Sequence, residues 1–118
     1  MEYTHLGRTG LEVSRLCLGT MNFGPQTPES ESHAVMDHAL EAGINFFDTA
    51  ANYGCGHSER ILAKAIAGRR DKVILATKFG YVVDEEKRIV AETEDVLPRI
   101  RQECEDSLRR LQTDYIDL

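Results

Sequence analysis

The spacing of apolar residues changes character several times along the chain. From 27 to 43 the apolar positions Val35, Ala39 and Ala42, with Met36 and Leu40 beside them, recur at helical intervals. Thr27 as N-cap, Pro28 at the first helical position and Gly43 as the stop complete a predicted helix. The next four residues, Ile44-Asn45-Phe46-Phe47, read as a strand. Helical spacing returns over 57–68, where Leu62, Ala65 and Ile66 share a face, Ser58 is the expected N-cap and Gly68 the stop. Residues 72–78, KVILATK, form a continuous apolar run, as in a parallel strand covered on both faces. Over 96–112, Leu97, Ile100, Cys104, Leu108 and Leu111 step by 3, 4, 4 and 3, which predicts a third helix with one apolar stripe.

The remaining segments fill in around these. Residues 3–5 and 12–14 are predicted as short strands joined across Gly7-Arg8-Thr9-Gly10. SRLCLGT (14–20) is a strand that turns at Gly19, and DYIDL (114–118) begins a fourth strand after the third helix. The acidic stretch 80–95 has no clear period and is expected to be a long loop with a small hairpin. Strands alternating with helices predict an α/β fold with a parallel sheet and helical crossovers. A last strand of this kind needs a further helix to cover it, so the chain is expected to be the N-terminal part of a larger domain.

Composition narrows the function classes. The 118 residues are 42% hydrophobic and 29% charged, ordinary values for a single globular domain. Net charge is -6 and no basic cluster exceeds Arg69-Arg70, which disfavours nucleic acid as a partner. No apolar run approaches the ~20 residues of a membrane span. Met1-Glu2-Tyr3-Thr4-His5 lacks the basic start and apolar core of a signal peptide, so a cytoplasmic location is expected. Cys17, Cys55 and Cys104 are odd in number and widely spaced, which suggests reduced thiols, with Cys17 and Cys104 as small core residues. His5, His33, His38 and His57 form no metal-ligand pattern, and no metal is expected.

The candidate chemistry lies where strands end. Asp48 ends the second strand of the alternating series and Lys78 the third, and C-terminal strand ends of parallel α/β folds share one rim where ligands bind. Tyr53 sits on the loop leaving the second strand. A free tyrosine, with a pKa of ~10, is a poor proton donor near neutrality, and an adjacent ammonium improves it. A carboxylate beyond the lysine would hold that ammonium charged and oriented. Singly, each residue also fits a loop, cap or surface role.

Four segments together resemble the aldo-keto reductase family: LGRTGLEVSRLCLGTMNFG (6–24), ALEAGINFFDTAANYGCGHSE (39–59), VILATKFG (73–80) and CEDSLRRLQTDYIDL (104–118). The resemblance covers almost the whole chain, and D-T-A-x-x-Y-G followed by A-T-K carries most of its specificity. It implies a (β/α)8 barrel, here truncated to an N-terminal hairpin, about four parallel strands and three helices over residues 1–118. It implies NADPH-dependent reduction of a small-molecule aldehyde or ketone, or the reverse oxidation. Tyr53 matches the family's proton donor, Lys78 the residue that tunes it, and Asp48 the carboxylate paired with that lysine. Gly19, Thr20 and Met21 match a turn whose backbone lies near the cofactor, and Asp48 also approaches the nicotinamide ribose. The family's catalytic histidine falls just past YIDL, so the 118-residue chain is expected to be nearly inactive alone. Two other readings stand beside the enzyme. One is a non-enzymatic binding subunit like the β subunits of potassium channels, and the other is a gene remnant without function.

Overall fold

The computed structural model describes residues 1–92 and 94–118. Two strands, β1 (Tyr3–His5) and β2 (Glu12–Ser14), form an antiparallel hairpin in the expected places. Then come β3 (Cys17–Gly19), helix α1 (Glu29–Glu41), β4 (Phe46–Asp48), helix α2 (His57–Ile66) and β5 (Ile74–Ala76). β3, β4 and β5 lie side by side in chain order and run parallel, with Gly19 opposite Asp48 and Asp48 opposite Ala76. The predicted loop over 80–95 does contain a hairpin, β6 (Tyr81–Asp84) with β7 (Ile89–Glu92), while Thr93 of that stretch lies outside the described residues. A short 3-10 turn (Leu97–Arg99) leads into α3 (Ile100–Leu111). Residues 114–118 form no regular strand, yet Asp117 and Leu118 donate backbone hydrogen bonds to Leu75 O, and Thr77 donates to Leu118 O. The fourth strand position is therefore occupied next to β5 by an extended segment.

The core lies on one face of the three-stranded sheet. Phe47 and Leu75 are wholly buried, with Leu18 packed beside them. Met36 and Ala39 of α1, Ile61, Leu62, Ala65 and Ile66 of α2, and Leu111 of α3 close over them. The opposite face carries Cys17, Phe46 and Ile74, none of them buried. Alternation along each strand produces this two-sidedness, since successive side chains point to opposite faces. The β1–β2 hairpin covers the end of the sheet away from Asp48. There Ser14 N donates to Asn45 Oδ1 and Tyr3 OH donates to Gly43 O.

Several local expectations are corrected. Pro28, not Thr27, occupies the N-cap of α1, and no side chain caps it. Proline lacks an N–H and its extended ψ turns the chain into the helix. Val35 and Ala42 are exposed, and Ser32 joins Met36 and Ala39 on the buried side. Gly56, not Ser58, is the N-cap of α2, with φ of 83°. A Cβ on Gly56 would stand 2.8 Å from Arg110 Cδ, so a side chain there would be strained and would displace Arg110.

The largest correction concerns α3. Leu97, Ile100 and Cys104 of the predicted stripe are exposed, Leu111 of that stripe is buried as expected, and Glu103, Ser107 and Arg110 are buried with it. Specific partners draw the polar residues in: Gly80 N donates to Glu103 Oε2, and Arg110 Nε donates to Glu59 Oε2. Ile100 and Cys104 turn instead to an apolar cavity of about 250 Å³, shared with Phe79, Ile116 and Leu118. Cys17 is likewise not a core residue, because it sits on the sheet face that the helices leave open.

Candidate active site

The sheet brings Asp48 and Lys78 to one rim. Asp48 ends β4 and Lys78 lies two residues beyond the end of β5, so both emerge at the C-terminal end of neighbouring parallel strands. Lys78 Nζ lies 2.8 and 2.7 Å from the two oxygens of Asp48, 2.9 Å from Thr49 O and 3.1 Å from Tyr53 OH. The tyrosine arrives through a run of tight turns after β4. Tyr53 N donates to Ala50 O, and its own carbonyl accepts from Ser58 N at the start of α2. The three residues that the strand-end argument singled out are thus one cluster.

An ammonium has three N–H groups and no acceptor. One is shared by the Asp48 carboxylate, one points to Thr49 O, and the third points to the Tyr53 oxygen. Tyr53 can only accept from Lys78, so its own proton is left for another partner. The lysine's charge is well held. Burial works against it, but the hydrogen bonds to Asp48 and Tyr53 outweigh burial and raise the Lys78 pKa above the ordinary lysine value. The cluster is half-open to solvent, with Lys78 and Asp48 side chains 46% and 35% exposed.

The rim beside Asp48 has room for a ligand. A Cβ built on Gly19, opposite Asp48 in register, meets nothing within 4 Å, and Met21 is 62% exposed. Thr20 differs from its neighbours. It is wholly buried, its N–H and hydroxyl both donate to Asp48 O, and only Gly19 and Met21 of that turn face outward. Asp48, Gly19 and Met21 therefore border a stretch of rim that is open to a ligand. Among the described residues no group of His, Cys, Asp or Glu is arranged to hold a metal ion, and no helix is long and apolar enough to cross a membrane.

Beneath this cluster lies a second set of polar groups that the sequence reading passed over. Glu59, in the first turn of α2, is wholly buried and accepts from Thr77 Oγ1 at 2.7 Å and Arg110 Nε at 2.5 Å. Ser58, expected to cap the helix, sends its hydroxyl to Thr20. The signal that marks them is a threonine directly after each parallel strand, at 20, 49 and 77.

The "Aldo/keto reductase family" model matches residues 15–118. Over its whole length the chain is 50% identical to the uncharacterized oxidoreductase YrpG and 46% identical to the aldo-keto reductase YhdN, both of Bacillus subtilis. It covers 39% and 37% of those two proteins, so it spans well under half the length of the curated relatives it matches. The solved structure of aldo-keto reductase AKR11C1 from Bacillus halodurans, in its holo form, superposes with a TM-score of 0.88 at 42% identity, covering 98% of this chain and 38% of that one. The three parallel strands and three helices are accordingly a part of a (β/α)8 barrel. With a family match over nearly nine-tenths of its residues, the chain belongs to the aldo/keto reductase family.

Proposed function

We propose that this chain carries the proton-donating side of an NADPH-dependent reductase that converts a small aldehyde or ketone to an alcohol, or runs the reverse. The observation that carries the reading is the direction of the Lys78–Tyr53 hydrogen bond, which leaves the phenolic proton free to be given away. A nicotinamide bound beside Gly19 and Asp48 would supply the hydride to the carbonyl carbon. Tyr53 gives its proton to the carbonyl oxygen as negative charge develops there. Lys78, 3.1 Å away, stabilises the charge left on the phenol oxygen. Asp48 and Thr49 O hold the ammonium in position through this step. Family membership supports the oxidoreductase class, and the open rim at Gly19 supports the cofactor's place.

The test uses a chimera in which residues 1–118 replace the matching segment of Bacillus subtilis YhdN. Consumption of NADPH with an aldehyde is followed by absorbance. Tyr53→Phe is expected to lower kcat by roughly 10²–10⁴-fold while NADPH affinity stays nearly unchanged. Near-parental turnover by the phenylalanine variant would sink the proposal.

A further inference from the structure

Thr20, Thr49 and Thr77 each stand immediately after a parallel strand, and all three lead to two adjacent residues, Ser58 and Glu59, in the first turn of α2. The Ser58 hydroxyl lies 2.8 Å from Thr20 O, 2.9 Å from Thr20 Oγ1 and 3.3 Å from Thr49 Oγ1. Its backbone N–H donates to Tyr53 O. Glu59 takes the Thr77 hydroxyl on one oxygen and Arg110 on the other. Ser58, Glu59, Thr20 and Thr49 are wholly buried, and no buried side-chain polar atom among the described residues lacks a partner. Each member of the rim cluster is tied to this pair by one intermediary at most. Thr20 donates to Asp48 O, Ser58 donates to the Tyr53 carbonyl, and Thr77 is bonded in sequence to Lys78.

A helix of this amphipathic kind needs none of these groups to bury its apolar face. Buried polar networks are expensive unless fully satisfied, and a satisfied one gives rigidity and a unique geometry. We propose that Ser58 and Glu59 are positioning residues, which set Asp48, Tyr53 and Lys78 at their mutual distances through Thr20, Thr49 and Thr77. The proposal rests on the reading of that cluster as the reacting site. Glu59 holds the exit of β5, so Lys78 leaves the sheet at a defined angle. Ser58 holds the exits of β3 and β4, and with them the Thr49 carbonyl that takes one Lys78 N–H.

The reactivity of the Lys78 amine reports its setting without any turnover. The folded chain is labelled with trace acetic anhydride at mildly alkaline pH, and the extent at each lysine is read by peptide mass spectrometry. Thr77→Val keeps the shape and removes the hydroxyl. Lys78 is expected to label on the order of threefold faster in that variant, as its charge-stabilising contacts loosen. Lys64, paired with Glu29 at 2.7 Å, and the exposed Lys87 should not change. Thr77→Ser, which restores the hydroxyl, should return Lys78 to its parental rate. Should Thr77→Val not fold, Ser58→Ala carries the same test, with the same selective rise expected at Lys78. An unchanged Lys78 rate, a rise shared with Lys64, or no rescue by Thr77→Ser would overturn the positioning role. A selective Lys78 response together with an active Tyr53→Phe chimera would instead overturn the reaction and leave the positioning role standing.

Discussion

Two ion pairs occupy the same end of the molecule in opposite settings. Glu59 and Arg110 are 0% and 5% exposed, and both carboxylate oxygens are engaged. Asp48 and Lys78 are 35% and 46% exposed, and their chain of contacts ends at a tyrosine with a proton to spare. The same charges attract far more strongly in the low-dielectric interior than at the rim, but they also lose more hydration there. The buried pair thus has nothing to offer a ligand and much to lose if broken. The rim pair has little structural worth and is free to act on what arrives. On the proposed reading, support and chemistry are divided between two layers of one strand-end platform.

That division is tested most sharply by removing one carboxylate from each layer. Glu59→Ala leaves the buried Arg110 guanidinium with only the longer 3.8 Å contact to Glu85 and frees Thr77, and should destabilise the fold by about 3 kcal/mol. Asp48→Asn, at the half-exposed pair, should change stability by no more than about 1 kcal/mol. Urea denaturation of the two variants against the parent checks both. Equal losses would erase the distinction between the layers.

A smaller effect should appear at alkaline pH. Lys78 titrates above the ordinary lysine value in the folded chain, against the opposing effect of burial, because Asp48 and Tyr53 bind its charged form. The folded state therefore holds this proton more tightly than the unfolded state. Its contribution to stability is complete below the unfolded lysine value of about 10.4 and fades as pH rises through the folded value. Lys78→Met should flatten the decline of the melting temperature above that pH. With nearly half of the side chain in solvent, the contribution is small. An alkaline limb as steep in the variant as in the parent would show that Lys78 is not its source.

The two layers were not equally legible in the sequence. Asp48, Lys78 and Tyr53 were readable because a strand end is a position in the pattern, and parallel strands put their ends on one rim. The lower layer was not, because its partners are far apart in sequence. Arg110 meets Glu59 from 51 residues away, and Ser58 meets Thr20 from 38. Periodicity follows apolar positions alone, so it puts Leu97, Ile100 and Cys104 inward and says nothing of Glu103 and Arg110, which packing buries. Ser58 shows the same limit, since a serine before a helical run looks like a cap until a competing hydroxyl is found. Elements set by local rules held up better. The hairpin strands fall where expected, and Gly43 and Gly68, with φ of 88° and 74°, follow α1 and α2 as stops.

The smallest expected effect concerns the β6–β7 hairpin, which meets the buried layer at Arg110. Glu85 at its turn meets Arg60 of α2 through two hydrogen bonds, 2.5 and 3.0 Å, and lies 3.8 Å from Arg110. The hydrogen bond from Arg60 outweighs burial and lowers the Glu85 pKa below the ordinary glutamate value. Its stabilising contribution is present above the unfolded value of about 4.3 and is lost as pH falls through the folded value. Glu85→Gln should therefore lower stability most at neutral pH and weaken the acid sensitivity of unfolding. Arg60 is 47% exposed, so the pair is screened and worth no more than about 1 kcal/mol. Denaturation midpoints followed from neutrality down through that range measure the difference between parent and variant. A gap that closes toward low pH assigns the effect to the Glu85 charge. A gap that is constant with pH would mean that the hairpin is held by packing, and that the buried layer ends at Arg110.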